Sequence, residues 1–413
     1  DYGLSVTGMD FPIALQVVRF NEDSNTPKIQ SKSFFDSFTE IQAAPNAYLN
    51  SAYTALRIGA ETFGGSIPKR MFRVQGTKIS IPHNATVQSD GSLSYAGTFN
   101  GTFKAAKEWT NDPAWILYDV LTSSKGLGDH LDSTKIDVFS FYSASVYCAE
   151  QVDDMTGTGT TEPRFAFNSV IRGQTSAYNL INKICQTMRA LAFYTAGSIE
   201  IVQDRPSDPV YLFNLSNVTE AGFSYTNTSQ TTKFTQVNVS YFNMETQEPD
   251  FVPVKADQTL INKYGLVVKN IRAYGCTSFG QARRFGKWFI YTQNNECELC
   301  NFTTTVAAGV VVRPGMLISV ADPMRQGARR GGRISAVNST TEIVVDNSED
   351  TDLAATNGAT LSIVMPDGTM ETKTISSISG TTITVSSAFS TTPNPNSVWI
   401  IENSTLSAQT YRV

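Results

Sequence analysis

The segment DPAWILYDVL, residues 112–121, gives the clearest structural signal in this sequence. Asp112 can accept hydrogen bonds from the free amides of a helix start, and Pro113 has the backbone angle that the first helical position requires. Apolar or aromatic residues then recur at the spacing of one helical face, namely Ala114, Leu117, Tyr118 and Leu121. The pattern predicts an amphipathic helix, which Gly126 and Gly128 are expected to end.

Two further helices are predicted downstream from the same periodicity. One begins near Ser133 and is expected to bury Val138, Phe141, Tyr142 and Val146. After an expected loop at 156–163, the next helix carries an apolar face made of Ala177, Leu180, Ile181, Ile184, Cys185 and Met188. It should lead into a hairpin with strands at 191–194 and 199–203 and a turn at Gly197.

Strand-like segments surround this helical block. Residues 55–61 and 70–82 are predicted as strands, the polar stretch 21–50 is not assigned, and a long strand is predicted at 235–242. A helix from Thr277 to about Gln293 is expected to turn Ala282, Phe285 and Phe289 inward and Arg283, Arg284 and Lys287 outward.

The remainder of the chain is predicted to be all-β. It contains two similar segments, RISAVNSTTEIVV from Arg333 and TISSISGTTITVS from Thr374. Each indicates a strand, a tight turn and a second strand. Two copies favour paired hairpins in small barrels over a solenoid, which needs three or more repeats.

Composition limits the classes of function. At 413 residues and 45.1 kDa the chain is long enough for several domains, and 41% apolar residues are enough to build their cores. A net charge of −5 provides no basic field for gripping nucleic acid, although it is compatible with lining a conduit through which DNA slides. The sequence contains no run of 18 apolar residues, so no transmembrane helix is expected, and no signal peptide is visible. Because the sequence starts at Asp1, we expect it to be a fragment of a longer protein. Five cysteines, an odd number, favour folding in a reducing cytoplasm.

Few residues suggest catalysis or metal binding. Cys297 and Cys300 form a C-x-x-C pair, but in a strand side chains three residues apart face opposite sides, so packing thiols are favoured over a metal or redox site. His83 and His130 are isolated in loop-like contexts. The sequence has no nucleophile-elbow, zinc-protease or phosphate-loop motif, so no cofactor or metal is expected.

Carboxylate pairs leave one enzymatic alternative open. Asp153 and Asp154 could in principle hydrolyse a glycosidic bond, which requires two carboxyl groups about 5–9 Å apart. Chance pairing is the simpler interpretation in a chain with 37 acidic residues. A third reading is a plain adhesin-like binding module.

Basic residues are the remaining candidates. One cluster lies in a Gly-rich turn, RQGARRGGR, and consists of Arg325, Arg329, Arg330 and Arg333. With the helix face of Arg283, Arg284 and Lys287, it is either a solvated surface or a contact with an acidic neighbouring subunit. Arg205 is expected to fix a turn by bridging Asp204, Asp208 or backbone carbonyls.

Several blocks along the chain resemble, in order, the tail tip attachment protein J family of lambda-like long-tailed phages, also called host-specificity or central tail fibre proteins. They are GTFKAA (101–106), PAWILYDVL (113–121), TEPR (161–164), QDRPSD (203–208), YGCTSFGQARR (274–284), GGRISAVNS (331–339) and SVWIIENSTL (397–406). The resemblance extends from about residue 55 to about residue 406. It says nothing of residues 1–50 or of the cysteine pair.

The resemblance implies a multidomain α+β fold made of tail-hub-type small β-barrels and α+β modules. On this basis we expect a β-rich hub region at 1–100, an α+β module at 101–208, strands plus a helix at 209–295 and an all-β barrel-like part at 296–413.

It also implies a structural role without enzymatic activity. The family resemblance predicts a homotrimeric tail hub, made in the host cytoplasm and located at the virion tail tip, that closes the tail tube and takes part in host attachment and genome ejection. Expected partners are other copies of the chain, distal tail and other tail tip proteins, the tape-measure protein, a host receptor bound by regions outside this chain, and DNA only in passage. The alternative is a tail-associated hydrolase of cell wall or polysaccharide.

Overall fold

The structure is a computed structural model of the chain, which divides into two compact units at residues 1–73 and 74–413. It describes residues 74–413 except 172–175, 196, 228–232, 327–330, 347–358 and 403–407, and before residue 74 only positions 16, 18, 20, 22, 24–26, 28, 53–56, 61 and 72. In these regions the second unit is a mixed α+β fold in which strands outnumber helices, as predicted. Over the same residues, no helix has the length and apolarity needed to cross a bilayer.

The described residues from 74 to 208, the first part of this unit, form three α-helices and three two-stranded hairpins. In chain order these are β1 (Ala85–Val87), β2 (Leu93–Tyr95), α1 (Pro113–Thr122), α2 (Val138–Ala149), β3 (Gln151–Asp153), β4 (Thr161–Pro163), α3 (Ala177–Thr187), β5 (Ala190–Thr195) and β6 (Ser198–Gln203). One core joins them, and its two largest fully buried side chains among the described residues are Trp115 and Phe141. The three predicted helices and the β5–β6 hairpin are therefore confirmed.

Helix α1 begins as the sequence predicts. The Asp112 side chain accepts hydrogen bonds from the amides of Ala114 and Trp115, both at 3.0 Å, and from the Ser145 hydroxyl at 2.6 Å. Ser145 in turn hydrogen-bonds the Tyr95 hydroxyl, which accepts the Trp115 indole N–H at 2.9 Å. Asp112 thus caps α1 and ties it to α2 and β2 inside the core.

Replacing Asp112 with asparagine is expected to change how stability depends on pH. Burial raises the pKa of the Asp112 carboxyl to about 6, so between about pH 4 and pH 6 the folded state binds more protons than the unfolded state. The free energy of unfolding should therefore fall as pH rises through this window, by on the order of 3 kcal/mol, and stay level above it. Asp112→Asn keeps a capping oxygen but cannot ionise, so this slope should disappear in urea unfolding measured from pH 4 to 7.

The matched control is Asp132, an exposed cap on the 3₁₀ turn Ser133–Lys135. Its pKa is lowered by the Thr134 backbone and side-chain hydrogen bonds, so it stabilises the fold above the unfolded pKa and loses that contribution as pH falls. Asp132→Asn should leave the downward slope between pH 4 and 6 in place. An unchanged slope in Asp112→Asn would contradict the assignment.

Several local predictions in this part are wrong. The second helix starts at Val138, and Val146 is exposed while Ala144, Ser145 and Cys148 are buried, because the covered face of the helix is rotated toward α1 and β6. The final residues of the expected loop at 156–163 form strand β4, paired with β3. The described part of the expected strand at 70–82 makes only isolated bridges at Ile79 and Pro82. Most of the strand predicted at 55–61 lies outside the described residues.

The middle of the chain is built on a three-stranded sheet. Its elements are β7 (Tyr211–Asn214), β8 (Ser224–Asn227), β9 (Gln236–Asn243), β10 (Glu248–Lys255), α4 (Gln258–Tyr264), β11 (Val268–Arg272) and α5 (Phe279–Asn295). The sheet has the order β10–β9–β11, and α5 packs on one of its faces over Val237 and Val239. Gly286 makes this contact possible, because a Cβ there would approach Val254 and Val239 methyls to 2.7 and 2.9 Å. The strand predicted at 235–242 and the helix from Thr277 are confirmed.

The last part contains a closed six-stranded barrel. Its elements are β12 (Glu298–Asn301), α6 (Val306–Val311), β13 (Leu317–Ala321), α7 (Pro323–Gln326), β14 (Gly331–Val337), β15 (Glu342–Val345), β16 (Thr360–Val364), β17 (Met370–Ser379), β18 (Thr382–Val385), β19 (Val398–Glu402) and β20 (Gln409–Arg412). The barrel order is β14–β15–β18–β17–β16–β19. The two similar segments form its hairpins β14–β15 and β17–β18, which pair with each other through β15 and β18. Helices α6 and α7 correct the expectation that everything beyond 296 is strand.

Long-range strand pairing links the middle and last parts. Strand β13 lies between β20 and β7, and β12 pairs with β8. Strands from both sides of residue 295 therefore share sheets. The division into segments 1–100, 101–208, 209–295 and 296–413 stays a prediction.

Candidate functional site

The arginines on the basic face of helix α5 make their contacts within the chain. Arg284 pairs with Glu162 at 2.7 Å and donates to the carbonyls of Asp153 at 2.9 Å and Arg164 at 3.0 Å. Arg283 donates to the Met155 carbonyl at 3.0 Å. The outward orientation predicted for both arginines is therefore wrong, because α5 is covered by the β9 sheet on one side and by the β3–β4 hairpin on another.

The contact between α5 and the hairpin is close and polar. The side chain of Arg284 is only 11% exposed and that of Glu162 18% exposed, so the pair is shielded from solvent. Ser278, which caps α5, also hydrogen-bonds the Glu162 carboxylate. A Cβ at Gly280 would come within 2.3 Å of the Asp154 carbonyl oxygen, so glycine lets the helix approach. Together these contacts fix α5 against β3 and β4.

A second arginine, not singled out by the sequence, extends this contact. Arg189 has a backbone φ of 53° and donates to the Arg284 carbonyl at 3.0 Å, and its guanidinium lies over the Trp288 ring. Burial lowers the pKa of Arg189 to about 10. The Trp288 indole donates to Asp204 at 2.6 Å, and Arg412 from β20 pairs with the same carboxylate at 2.6 Å. This chain of contacts connects the first, middle and last parts of the unit.

Arg205 behaves as a structural residue. Its guanidinium donates to the Ser143 carbonyl at 3.3 Å and to the Ser143 hydroxyl at 3.0 Å, and it lies 5.7 Å from the centre of the Tyr147 ring. The guanidinium contacts a backbone carbonyl as predicted, but this carbonyl lies on helix α2, so Arg205 connects its segment to α2, and the predicted fixing of a turn stays a prediction. The carboxylate of Asp204 is bound by Trp288 and Arg412 instead.

The segment RQGARRGGR contains the other predicted basic cluster, with Arg325 on α7 and Arg333 on β14. Arg325 lies 3.5 Å from the centre of the Tyr225 ring and pairs with Glu298. Arg333 donates to the carbonyls of Asn396 and Ser216, both at 2.8 Å. Arg329 and Arg330 lie outside the described residues. Of the seven predicted interface residues, Arg283, Arg284, Arg325 and Arg333 make contacts within the chain, and Lys287 is exposed. A subunit interface at these residues stays a prediction.

The cysteines and histidines do not converge in the described structure. Cys300 packs against a core cluster that includes Phe213 and Ile318, and the Cys297 thiol donates to the Asn294 carbonyl at 3.8 Å. All five cysteines are free, and burial raises the pKa of Cys185 and of Cys276 to about 12, so these remain thiols. Within the described residues, no three His, Cys, Asp or Glu side chains are grouped to hold a metal ion.

Asp154, in the carboxylate pair at the β3–β4 turn, has the wrong electrostatics for a general acid. Asp154 accepts hydrogen bonds from the side chains of Thr160 and Thr156 and from the Thr156 amide, which lower its pKa. A catalytic acid near neutral pH needs a raised pKa. A small depression near α5, between Phe165, Thr187 and Tyr274, has no carboxylate in its lining.

Comparison with known proteins identifies relatives of the whole chain. A family model described as putative phage tail protein matches residues 176–337. The tip attachment protein J of Escherichia phage SECphi27 is 32% identical over 98% of this chain and 33% of its own length. That of Escherichia phage SECphi4 is 25% identical over 97% of this chain and 34% of its own length. These findings confirm the resemblance predicted from the sequence blocks.

The chain spans about a third of the length of these relatives. Among solved structures, it is similar to the 43 kDa tail protein of prophage MuSo2 from Shewanella oneidensis. That likeness has 14% identity, covers 38% of this chain and 45% of the other, and has a TM-score of 0.26. A TM-score this low does not establish a shared fold.

Proposed function

Because this chain is a phage tail tip protein homologous to part of the tip attachment proteins J, we propose that it forms the central hub of a long-tailed phage tail. In this role it closes the tail tube and takes part in host attachment and genome ejection. The observation that carries the proposal is 32% identity over 98% of the chain to one such protein.

The way the chain uses its charged residues supports a scaffold role. The shielded pair of Arg284 with Glu162 and the bridge of Arg412 to Asp204 join distant parts of the fold. Such groups hold structural elements in fixed positions, whereas a hydrolase needs titratable groups that converge on an open cleft. The hydrolase alternative gains no support from the lowered pKa of Asp154.

We further propose that the hub is a homotrimer, synthesised in the host cytoplasm and assembled at the virion tail tip. Its neighbours would be distal tail and other tail tip proteins, with the tape-measure protein in the channel. Regions of the full protein outside this chain would bind the receptor. DNA would contact the hub only while it passes through the channel. Five free cysteines suit folding in a reducing compartment.

Opening of the tip requires two arrangements of the subunits. A closed packing would hold until receptor contact favours an open one, and a free-energy gap of a few kcal/mol suffices for such a switch. The rigid connections through α5 suit a subunit that moves as a body.

Cryo-electron microscopy of intact phage tails tests the proposal. The expected result is three copies of this fold around the axis at the tail end, closing the tube. A zymogram with the purified chain on peptidoglycan and on capsular polysaccharide provides the contrast. Turnover that a single Asp or Glu substitution abolishes, or absence of the fold from the tail end, would overturn the hub assignment.

A further inference from the structure

The two edges of the three-stranded sheet differ in their backbone chemistry. Strand β9 is central, so β10 and β11 each have one neighbour among the described strands. An edge strand presents alternate N–H and C=O groups on its open side, and these can pair with a strand of another chain. Which residues face outward follows from the hydrogen bonds at each strand end.

On β10, the odd-numbered residues face the open side. The Ala256 amide donates to the Thr235 carbonyl at 2.8 Å, which directs even-numbered residues toward β9. Pro249 and Pro253 therefore point their ring nitrogens outward, where no N–H exists. Between them, the Phe251 amide donates to its own neighbour, the Asp250 carboxylate, at 2.7 Å.

This stretch of β10 offers carbonyls but no available donor. A neighbouring strand needs donors and acceptors in alternation, so the β10 edge is closed to strand addition. Because the closed edge includes both prolines, β10 of one copy cannot pair with the opposite sheet edge of another copy.

On the open side of β11, both backbone donors and backbone acceptors are present. The Gln236 amide donates to the Val267 carbonyl and the Ala273 amide to the Ser240 carbonyl, both at 3.0 Å, so odd-numbered residues of β11 face β9. The amides and carbonyls of Val268, Asn270 and Arg272 then face the open side. Among the described residues, no other group hydrogen-bonds these backbone atoms, and all three residues are exposed.

Side chains beside this edge define the chemistry of a partner. Lys263, Lys269 and Arg272 are exposed, and none of them has an ion pair within the described part of the chain. Lys269 lies over the Phe234 and Phe289 rings on the face that α5 covers, whereas Arg272 lies on the opposite face. Leu266 and Val268 next to these basic side chains are 60% and 46% exposed. Because Lys269 and Arg272 lie on opposite faces of the sheet, an incoming strand needs acidic residues on both of its faces to pair with them.

We propose that the outer edge of β11 is an acceptor site for an extended, acidic strand of a different polypeptide. Backbone pairing with residues 268–272 supplies affinity, and the three basic side chains select acidic residues. The proposal depends on the sheet alone. It can therefore fail while the tail role holds, and it can hold if the tail role fails.

The probe is a fluorescent peptide with acidic residues on both strand faces, acetyl-Thr-Glu-Glu-Val-Glu-Glu-Thr-amide, titrated against the full chain and followed by anisotropy. Hydrogen–deuterium exchange should show protection of residues 266–272 when the peptide is present. Asn270→Pro removes one outward donor and is expected to weaken binding about tenfold or more. Asn270→Ala is the matched control, since it also loses the Asn238 side-chain contact but keeps the amide, and should bind within about twofold of the parent.

A charge-swap experiment covers the case in which the proline variant fails to fold. Lys269→Glu with Arg272→Glu should weaken binding of the acidic peptide, and a peptide with lysine in place of glutamate should then bind better than the acidic one. Equal binding by Asn270→Pro and Asn270→Ala, or protection outside 266–272 only, would overturn the proposal. So would absence of binding at millimolar peptide, or dimers of the chain formed through β11 in sedimentation.

Discussion

Replacing Arg284 with alanine is expected to lower the free energy of unfolding by about 3–5 kcal/mol. The guanidinium pairs with Glu162 at 2.7 Å and donates to two carbonyls of the first part of the unit. Without the guanidinium, the shielded Glu162 carboxylate, whose side chain is 18% exposed, loses its cation. The two backbone carbonyls also lose a hydrogen-bond donor. Chemical denaturation followed by circular dichroism measures the change.

Lys287 supplies a control on the same helix. It carries the same charge one turn further along α5, but it is exposed, so Lys287→Ala should change the free energy of unfolding by less than about 0.5 kcal/mol. Arg284→Lys should fall between the two, because lysine keeps the charge and lacks the planar fork that reaches three acceptors. Equal effects of Arg284→Ala and Lys287→Ala would show that the pair contributes nothing to the α5 contact.

A double-mutant cycle separates the ion pair from the rest of the contact. Glu162→Gln removes the charge and keeps the shape, so the double variant should be less destabilised than the sum of the single variants. The expected coupling is on the order of 1–3 kcal/mol, since the two groups touch in a shielded site. Additive effects would place the stabilisation in the carbonyl contacts alone.

Local features of the fold were predictable because their signals are local. The cap at Asp112, the proline after it and the apolar spacing of α1 lie within ten residues, and the structure reproduces them. The hairpin β5–β6 follows α3 directly and turns at Gly197, which has a φ of 90°. The barrel hairpins β14–β15 and β17–β18 were likewise visible as repeated strand–turn–strand segments.

Contacts between distant segments were not predictable in the same way. Arg284 was expected to face solvent because a single apolar stripe marks only one covered side of a helix, and α5 has a second, polar one against β3 and β4. The same applies to Asp204, whose partners Trp288 and Arg412 are 84 and 208 residues away in sequence. No local pattern marks residues that meet across such distances.

Trp399→Ala is expected to be the most damaging change within the barrel, at about 3–5 kcal/mol. Trp399 is fully buried at the barrel centre, on the strand β19 that pairs with both β14 and β16. Alanine would leave a large cavity in a core that includes Leu361 and Ile363, and the strands on both sides limit how far that core can collapse.

Trp399→Phe provides the matched comparison for the barrel. It retains most of the ring volume but loses the indole N–H, which donates to Asp346 at 3.0 Å, so a cost of about 1–3 kcal/mol is expected. Hydrogen–deuterium exchange should increase most in β14, β16 and β19 for the alanine variant, since these strands surround the removed ring. A loss below about 1 kcal/mol for Trp399→Ala would mean that the barrel collapses around the gap, and that strand closure rather than core filling determines its stability.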